Sequence, residues 1–220
     1  MNPGSVPAIL ATLLAGALTA LQIATGAALL AFALGLLLAV VNVFVRAPLA
    51  RATHLVIGAY VEWMRNVPAL AHLFILYFGL ASVGWQLSPK VAAITGLGLV
   101  GAAVLCDVFS AAMRALPAGQ REAALACGLT PLQALQTVVL PQVLQFTLPA
   151  LGNYATQLIK DTAIASAIAA PEIMFYARSL VTSTFQTPLI YGCAILLYAS
   201  VIYPVNWAFA RLERRLGAGR

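Results

Sequence analysis

Long runs of apolar residues, separated by short polar breaks, extend along the whole sequence. No side chain before Arg46 is charged, and prolines interrupt the start of this first run. We therefore expect a short surface segment over about 8–17 and a first spanning helix over about 18–44. Four later runs are also near the length of about 20 residues that crosses a bilayer as a helix. They predict spans over about 54–81, 91–113, 142–168 and 188–210.

The composition supports a membrane protein and excludes several other classes. Hydrophobic residues make up 62% of the 220 residues and charged residues only 8%, whereas a soluble domain usually has about 25% charged residues. We therefore exclude a cytosolic enzyme, a nucleic-acid-binding protein and a disordered chain. The sequence predicts an all-α membrane protein of about five transmembrane helices, forming one domain over residues 1–220.

Cysteine and histidine usage predicts no further chemistry. The three cysteines are scattered without CxxC spacing and the two histidines are isolated, so we expect neither a disulfide nor a metal site. Each cysteine is expected to pack as a small apolar residue. The first 45 residues contain no Lys or Arg for the basic region of a cleavable signal peptide, so we expect the N-terminal segment to be retained.

Basic residues fall mainly on one side of the predicted spans. If the C-terminus is cytoplasmic, only Lys90 and Arg178 lie on the opposite side. Because Lys and Arg are enriched in cytoplasmic loops, we predict that the N-terminus is outside, the C-terminus is cytoplasmic and the loop 114–141 is cytoplasmic. The basic residues on the predicted cytoplasmic side are Arg46, Arg51, Arg114, Arg121, Arg211, Arg214, Arg215 and Arg220.

The loop 114–141 predicts two short helices joined by a glycine. The first extends from about Pro117 to Cys127 and ends at Gly128, because glycine suits the left-handed conformation that closes many helices. Thr130 is a candidate N-cap for the second helix, and Gln133 completes a capping box with it. This pattern alone fits an amphipathic loop on the membrane surface as well as an element that docks onto a partner.

The residues of this loop also resemble a known signature. An acidic residue and two alanines are followed at fixed spacing by a glycine and a Leu-Pro pair, which is similar to the EAA signature of permease subunits of bacterial ABC importers. The family pattern has Ile where this chain has Val. The matching positions are Glu122, Ala123, Ala124, Gly128, Val138, Leu140 and Pro141.

Two further blocks resemble the polar amino-acid branch of these permeases. Residues 65–68 and 73–80 are similar to the second-span block of that branch, which more often has Gly-Thr or Asn-Thr at positions 66–67. Residues 160–166 are similar to its fourth-span block. The similarity covers roughly residues 53–212.

The resemblance implies a type I importer of amino acids in the bacterial cytoplasmic membrane. Such an importer has two permeases, two ATP-binding subunits with P-loops and an extracytoplasmic substrate-binding protein. In that family the EAA loop docks into the ATP-binding subunit, and nucleotide-driven closure switches the pore between outward- and inward-facing states. This chain lacks a G-x-x-x-x-G-K-[ST] sequence, so we expect ATP on the partner, no cofactor on this chain and no covalent chemistry. A second permease identical to this chain and one merely related to it both fit the sequence.

Polar residues on the fourth predicted span lie on one helical face. Asn153, Gln157, Lys160 and Asp161 have the spacing i, i+4, i+7 and i+8. Placing an ionisable side chain at the bilayer centre costs about 2.5–3.5 kcal/mol, so we expect each of these residues to have a structural or functional role. They line a substrate pathway, meeting ammonium and carboxylate groups, or they stabilise the bundle through more distant charged partners such as Glu172 or Arg65.

The second and third spans carry further ionisable groups. Glu62 and Arg65 are an i, i+3 pair, interpreted either as an intrahelical ion pair or as a substrate contact. Asp107 either pairs with Arg114 or lines the exit of the pathway.

A short outer helix is expected after the fourth span. Pro171 and Glu172 predict its first turn, because proline suits the first helical position and an acid suits the helix N-terminus. Glu172 and Arg178 are expected on an exposed charged face, with contact to the binding protein as the alternative.

Two other functions compete with the importer. A self-contained secondary carrier or channel would use Asp161 as a proton or sodium site, but the chain shows no internal repeat and the EAA loop argues against it. An intramembrane enzyme is disfavoured because there is no H-E-x-x-H pair and neither histidine lies in a recognisable nucleophile setting.

Overall fold

The protein is almost entirely helical. The structure is a computed structural model and describes residues 4–45 and 49–217. It has eight helices within these ranges: α1 Val6–Phe44, α2 Ala50–Asn66, α3 Ala69–Ser82, α4 Pro89–Ala115, α5 Ala118–Ala126, α6 Pro131–Ile168, α7 Ile173–Thr184 and α8 Thr187–Gly217. The last part of α6, Thr162–Ile168, is a 3₁₀ helix.

The expectation of about five membrane spans is confirmed. Helices α1, α4, α6 and α8 are each long and apolar enough to cross a membrane, and α2 with α3 passes the same test as one bent pair. Of the basic residues placed between the first two spans and at the C-terminus, Arg46 and Arg220 lie outside the described residues.

Helices α1 and α4 run parallel in the centre of the bundle. Gly26 of α1 faces Ile94, and Gly35, nine residues later, faces Ala102 and Leu105 of α4. Small residues let the two backbones approach: a Cβ atom on Gly35 would lie 2.9 Å from the carbonyl oxygen of Ala102. Such small-residue contacts are typical of helix pairs in membranes.

The remaining spans alternate in direction around this pair. Val143 near the start of α6 packs in the cluster that contains Met113 at the end of α4, so α6 is antiparallel to α4. Gly152 of α6 faces Phe209 near the end of α8, so α8 is antiparallel to α6. His54 of α2 contacts Asn42 near the end of α1. The start of α1 and the end of α8 therefore lie on opposite sides of the bundle, and which side is cytoplasmic stays a prediction.

The first helix differs from expectation, because no separate segment over 8–17 precedes it. Helix α1 begins at Val6 and continues for 39 residues. Ile9 and Leu13 are fully buried in a cluster with residues of α7 and α8, which stabilises the first turns as helix. Proline at the start of α1 is tolerated because the first turn needs no backbone N–H donor.

The second span, expected over about 54–81, consists of two helices. The chain bends by 103° between α2 and α3. The cause is Pro68, which lacks an N–H group and excludes the preceding residue from helical geometry. Val67 accordingly adopts φ −95° and ψ 134°.

We predict that Gly35→Ala destabilises the protein, whereas Gly192→Ala does not. The added methyl group at position 35 would meet backbone atoms of α4, and overpacking of this kind costs about 1–3 kcal/mol. A Cβ atom at Gly192, within α8, meets nothing within 4 Å. The apparent melting temperature of the purified protein in detergent measures the difference, and equal values for the two variants would contradict the close α1–α4 packing.

Candidate functional site

Helix α5 is a short, largely exposed helix on the side of the bundle where α1 ends. Glu122 and Ala123 of the signature are exposed and Ala124 is buried beneath them. Arg121 holds the helix to the bundle, because its guanidinium lies 5.1 Å from the centre of the Phe44 ring at the end of α1. A cation over an aromatic face is attracted to it.

The turn after α5 has the predicted geometry. Gly128 has φ +84°, the left-handed conformation that glycine adopts without strain. The capping box is present: Gln133 N donates to Thr130 Oγ1 at 3.3 Å, and Thr130 N donates to Gln133 Oε1 at 2.8 Å. These bonds fix the entry into α6.

The second short helix of the predicted loop is the start of the fourth span itself. Leu140 and Pro141, expected at the base of that span, lie inside the continuous helix α6. A π-helical turn over Leu135–Val139 directly precedes them, and such a turn accommodates a proline that cannot donate to the regular ladder. The second helix of the predicted loop and the fourth span are therefore one continuous helix.

The polar stripe predicted on the fourth span lies on the surface of α6. Asn153, Gln157 and Lys160 are exposed on the single chain, and Asp161 is partly buried. The Gln157 amide donates to Asp161 Oδ1 at 2.8 Å. The structure shows no ion pair of Asp161 with Arg65, because Arg65 pairs elsewhere.

The charged residues of the second span do not form the ion pair within one helix that was one of the two interpretations. Arg65 forms an ion pair with Asp107 of α4 instead of Glu62, and Asp107 is therefore not paired with Arg114. Glu62 accepts a hydrogen bond from the Asn66 side chain at 2.8 Å. Glu62, Arg65 and Asn66 are all exposed on the single chain.

Glu172 is placed quite differently from the exposed position that the sequence suggested. Its side chain is 0% exposed, and it is the N-cap of α7 instead of a first-turn residue. The carboxylate accepts hydrogen bonds from Met174 N at 2.9 Å, Phe175 N at 2.7 Å and the Tyr198 hydroxyl at 2.7 Å. Burial raises the pKa of Glu172, and the hydrogen bond from Tyr198 acts in the opposite direction.

Sequence reasoning missed this site because its parts are distant along the chain. Tyr198 lies 26 residues after Glu172. Gly16 completes the site, since a Cβ atom there would be 2.8 Å from the backbone of Glu172 and Ile173. The available local signal was an acid directly before an apolar helix, which is typical of an N-cap.

The described residues contain no cluster suited to a metal ion. No group of three His, Cys, Asp or Glu residues lies close enough together within residues 4–45 and 49–217.

Comparison with known proteins identifies the family. Residues 31–218 match the family described as "Binding-protein-dependent transport system inner membrane component". The chain belongs to this family. With its several apolar helices, the permease is a multi-pass protein of the inner membrane. The match favours a transporter permease over a self-contained secondary carrier or channel.

The permease is similar to several curated relatives. It is 32% identical to the probable glutamine ABC transporter permease protein GlnM of Bacillus subtilis (strain 168) over 185 residues, 84% of each chain. It is 31% identical to the probable amino-acid ABC transporter permease protein PatM of Vibrio harveyi over 207 residues, 89% of each chain.

Solved structures agree with the fold. A crystal structure of an amino acid ABC transporter with histidines matches the permease with a TM-score of 0.81 and 25% identity, covering 93% of this chain and 94% of that one. An inward-facing MetNI methionine ABC transporter matches with a TM-score of 0.78 at 23% identity, which supports the fold. The family implies an ATP-binding partner and a second permease.

We predict that Glu172→Gln destabilises the permease by about 1–3 kcal/mol, because a backbone N–H of α7 or the Tyr198 hydroxyl then loses its acceptor at this buried side chain. Glu122→Gln, the same change on the exposed face of α5, is the control and should stay within about 0.5 kcal/mol of the parent. Chemical or thermal unfolding in detergent, followed by tryptophan fluorescence, gives the comparison. If the free energy of unfolding of Glu172→Gln equals that of the parent, the buried carboxylate is not needed for stability.

Proposed function

We propose that this chain is the pore-forming permease subunit of an ATP-driven amino-acid importer. Similarity to permeases named for glutamine and for amino acids supports this substrate class. In the proposed assembly, the chain pairs with a second permease, binds an ATP-binding subunit through α5 and receives its substrate from an extracytoplasmic binding protein. It carries no catalytic residue and no cofactor of its own, and ATP is bound by the partner.

The observation that carries the proposal is the continuity of α6. One helix joins the capped turn after the exposed docking helix α5 to the polar stripe that ends at Asp161. From Pro131 to Asp161 the helix rises about 45 Å at 1.5 Å per residue. A displacement of α5 by the ATP-binding subunit therefore tilts the same helix that carries the stripe.

The exposed polar groups support a pathway between two permeases. Asn153, Gln157 and Lys160 on α6, with Glu62 on α2, are exposed on the single chain. Polar and charged groups in membrane spans face a bundle interior or a water-filled cavity, because contact with lipid is costly. In the proposed assembly, a second permease covers these groups and encloses a polar pathway.

The chemistry of the stripe suits an amino acid. Asp161 is positioned to attract the substrate ammonium group, with Gln157 holding its carboxylate in place. Lys160, exposed one residue earlier, is positioned to attract a carboxylate. Charge-assisted hydrogen bonds of this kind are about twice as strong as neutral ones.

We predict that Glu122→Lys lowers substrate-stimulated ATP hydrolysis about tenfold or more, because it reverses an exposed charge on the docking helix. Tenfold corresponds to about 1.4 kcal/mol of docking free energy. Glu213→Lys, the same reversal on exposed α8, is the control and should leave hydrolysis unchanged. The test is to co-purify the complex in mild detergent and measure both partner content and ATP hydrolysis. Full coupling in Glu122→Lys, or purification of the chain without an ATP-binding subunit, would contradict the proposal.

We predict that Asp161→Asn raises the half-saturating amino-acid concentration about tenfold or more, since a hydrogen bond to a charged group contributes about 1.5–3 kcal/mol. Uptake into proteoliposomes that contain the complete transporter and saturating binding protein measures this. The yield of folded complex is determined in parallel by size-exclusion chromatography. A lower yield with unchanged uptake per complex would make Asp161 a structural charge.

A further inference from the structure

The second half of α8 has an aromatic and basic face that points away from the bundle. Gly152 of α6 packs against Phe209, which marks the side of α8 that faces the bundle. Tyr203 and Trp207, by contrast, are 73% and 58% exposed. Positions four residues apart share one face of a helix, and Tyr203, Trp207 and Arg211 have this spacing. Phe209 lies two residues, about half a turn, from both Trp207 and Arg211, so these side chains point away from α6.

Two further arginines widen this face near the end of the helix. Arg211, Arg214 and Arg215 are all exposed and have the spacing i, i+3 and i+4. Glu213 follows Arg211 by two residues and therefore projects toward a different side of α8. Within residues 4–45 and 49–217, no carboxylate forms an ion pair with any of the three guanidinium groups. Three positive charges are thus available to an anion from outside the chain. We define the α8 face as Tyr203, Trp207, Arg211, Arg214 and Arg215.

Arg211 is held in place by the aromatic part of this face. Its guanidinium carbon lies 5.1 Å from the centre of the Trp207 ring. A cation over the face of a tryptophan ring is attracted to it, which restricts the Arg211 side chain while the residue stays exposed. The N–H groups of a guanidinium form a planar fork that matches two oxygens of a phosphate group. The Trp207–Arg211 pair is therefore a positioned site for a phosphate at the surface of α8.

The order of residue types along α8 follows the layers of a membrane. Leu196, seven residues before Tyr203 on the same side of the helix, is apolar and 71% exposed. Tyr203 and Trp207 come next, and these two residue types are enriched at the level of the lipid headgroups. The arginines follow at the end of α8, on the side that is predicted to be cytoplasmic. A bilayer covers such a succession of apolar, aromatic and basic side chains, whereas a soluble partner at the arginines leaves the exposed leucine and the two aromatic residues unexplained.

We propose that the α8 face binds the phosphate headgroup of an anionic phospholipid in the cytoplasmic leaflet. Trp207 holds Arg211 toward the phosphate, and Arg214 and Arg215 add attraction for the net negative charge of the lipid. Anionic lipids of the cytoplasmic leaflet attract basic residues close to the end of a membrane helix. A zwitterionic lipid also has a phosphate, but its headgroup cation cancels that charge, so the face favours the anionic lipid. This inference goes beyond the proposed importer function and holds whatever the permease transports.

The test measures which lipid lies next to Trp207 in a bilayer. The full-length permease is reconstituted with Trp63→Phe and Trp85→Phe, both at exposed positions, so that Trp207 is the remaining tryptophan of the three. The vesicles contain phosphatidylcholine and phosphatidylglycerol, with bromine on the acyl chains of one lipid or of the other. Bromine quenches a tryptophan only in close contact, so the two quenching curves give the binding constant of phosphatidylglycerol relative to phosphatidylcholine.

We expect the parent to bind phosphatidylglycerol about fivefold or more tightly than phosphatidylcholine, which is what one arginine near an anionic bilayer contributes. Arg211→Gln combined with Arg214→Gln should lower this ratio to about one. Arg51→Gln combined with Arg114→Gln removes the same charge from exposed positions at the same end of the bundle, and this matched control should keep the parent ratio. Native mass spectrometry of the permease with its three native tryptophans counts retained phosphatidylglycerol molecules and does not depend on the phenylalanine replacements.

Four results would overturn the inference. Equal quenching of the parent by the two brominated lipids would show no preference, and an equal loss of preference in the control pair would indicate general surface charge. If inorganic phosphate abolishes the preference and chloride at the same ionic strength does not, the arginines select a dissolved anion. If the complex with Arg211→Gln and Arg214→Gln loses its co-purifying ATP-binding subunit, the α8 face contacts that subunit instead of lipid. In each case the proposed importer function stands.

Discussion

Close packing of α1 against α4 is the interaction on which the rest of the bundle depends. Within a bilayer the hydrophobic effect does not hold helices together, so association relies on close van der Waals contact. Glycines supply that contact at both helices: Gly26 and Gly35 on α1 face α4, and Gly98 on α4 faces Leu30. Helices α2, α6 and α8 then pack around this parallel pair in alternating directions.

The bilayer also decides where polar groups lie. Inside the bundle, the Glu172 carboxylate is satisfied locally by two backbone N–H groups and one hydroxyl. The polar groups of α2 and the stripe of α6 are left on the surface of the single chain. Glu172 thus completes the fold of a single chain, whereas the exposed polar groups of α2 and α6 are those that we propose a second permease covers.

Local patterns predicted the parts of the structure that depend on local interactions. Hydropathy predicted the spans, and the spacing of Gly128, Thr130 and Gln133 predicted the turn after α5, because a helix cap involves residues only three or four positions apart. The sequence shows the proline at position 68 but does not predict the bend there, since a proline inside a membrane helix is often tolerated.

Long-range pairs could not be predicted in the same way. Arg65 and Asp107 are 42 residues apart, and Glu172 and Tyr198 are 26 apart. Each pair depends on how two helices cross, and periodicity along one helix contains no information on a crossing. The candidate substrate stripe was predictable as a helical face, but its exposure on one chain depends on which faces the neighbouring helices cover.

The length of α1 has a mechanical consequence. A helix keeps a nearly constant rise per residue, so the distance from Gly16 to Phe44 is set at about 42 Å. Gly16 contacts the backbone of Glu172, and Phe44 lies beneath Arg121 of α5. Helix α1 therefore keeps these two contacts at a nearly fixed separation. Any signal passing between them has to take the form of rotation or tilt about α1.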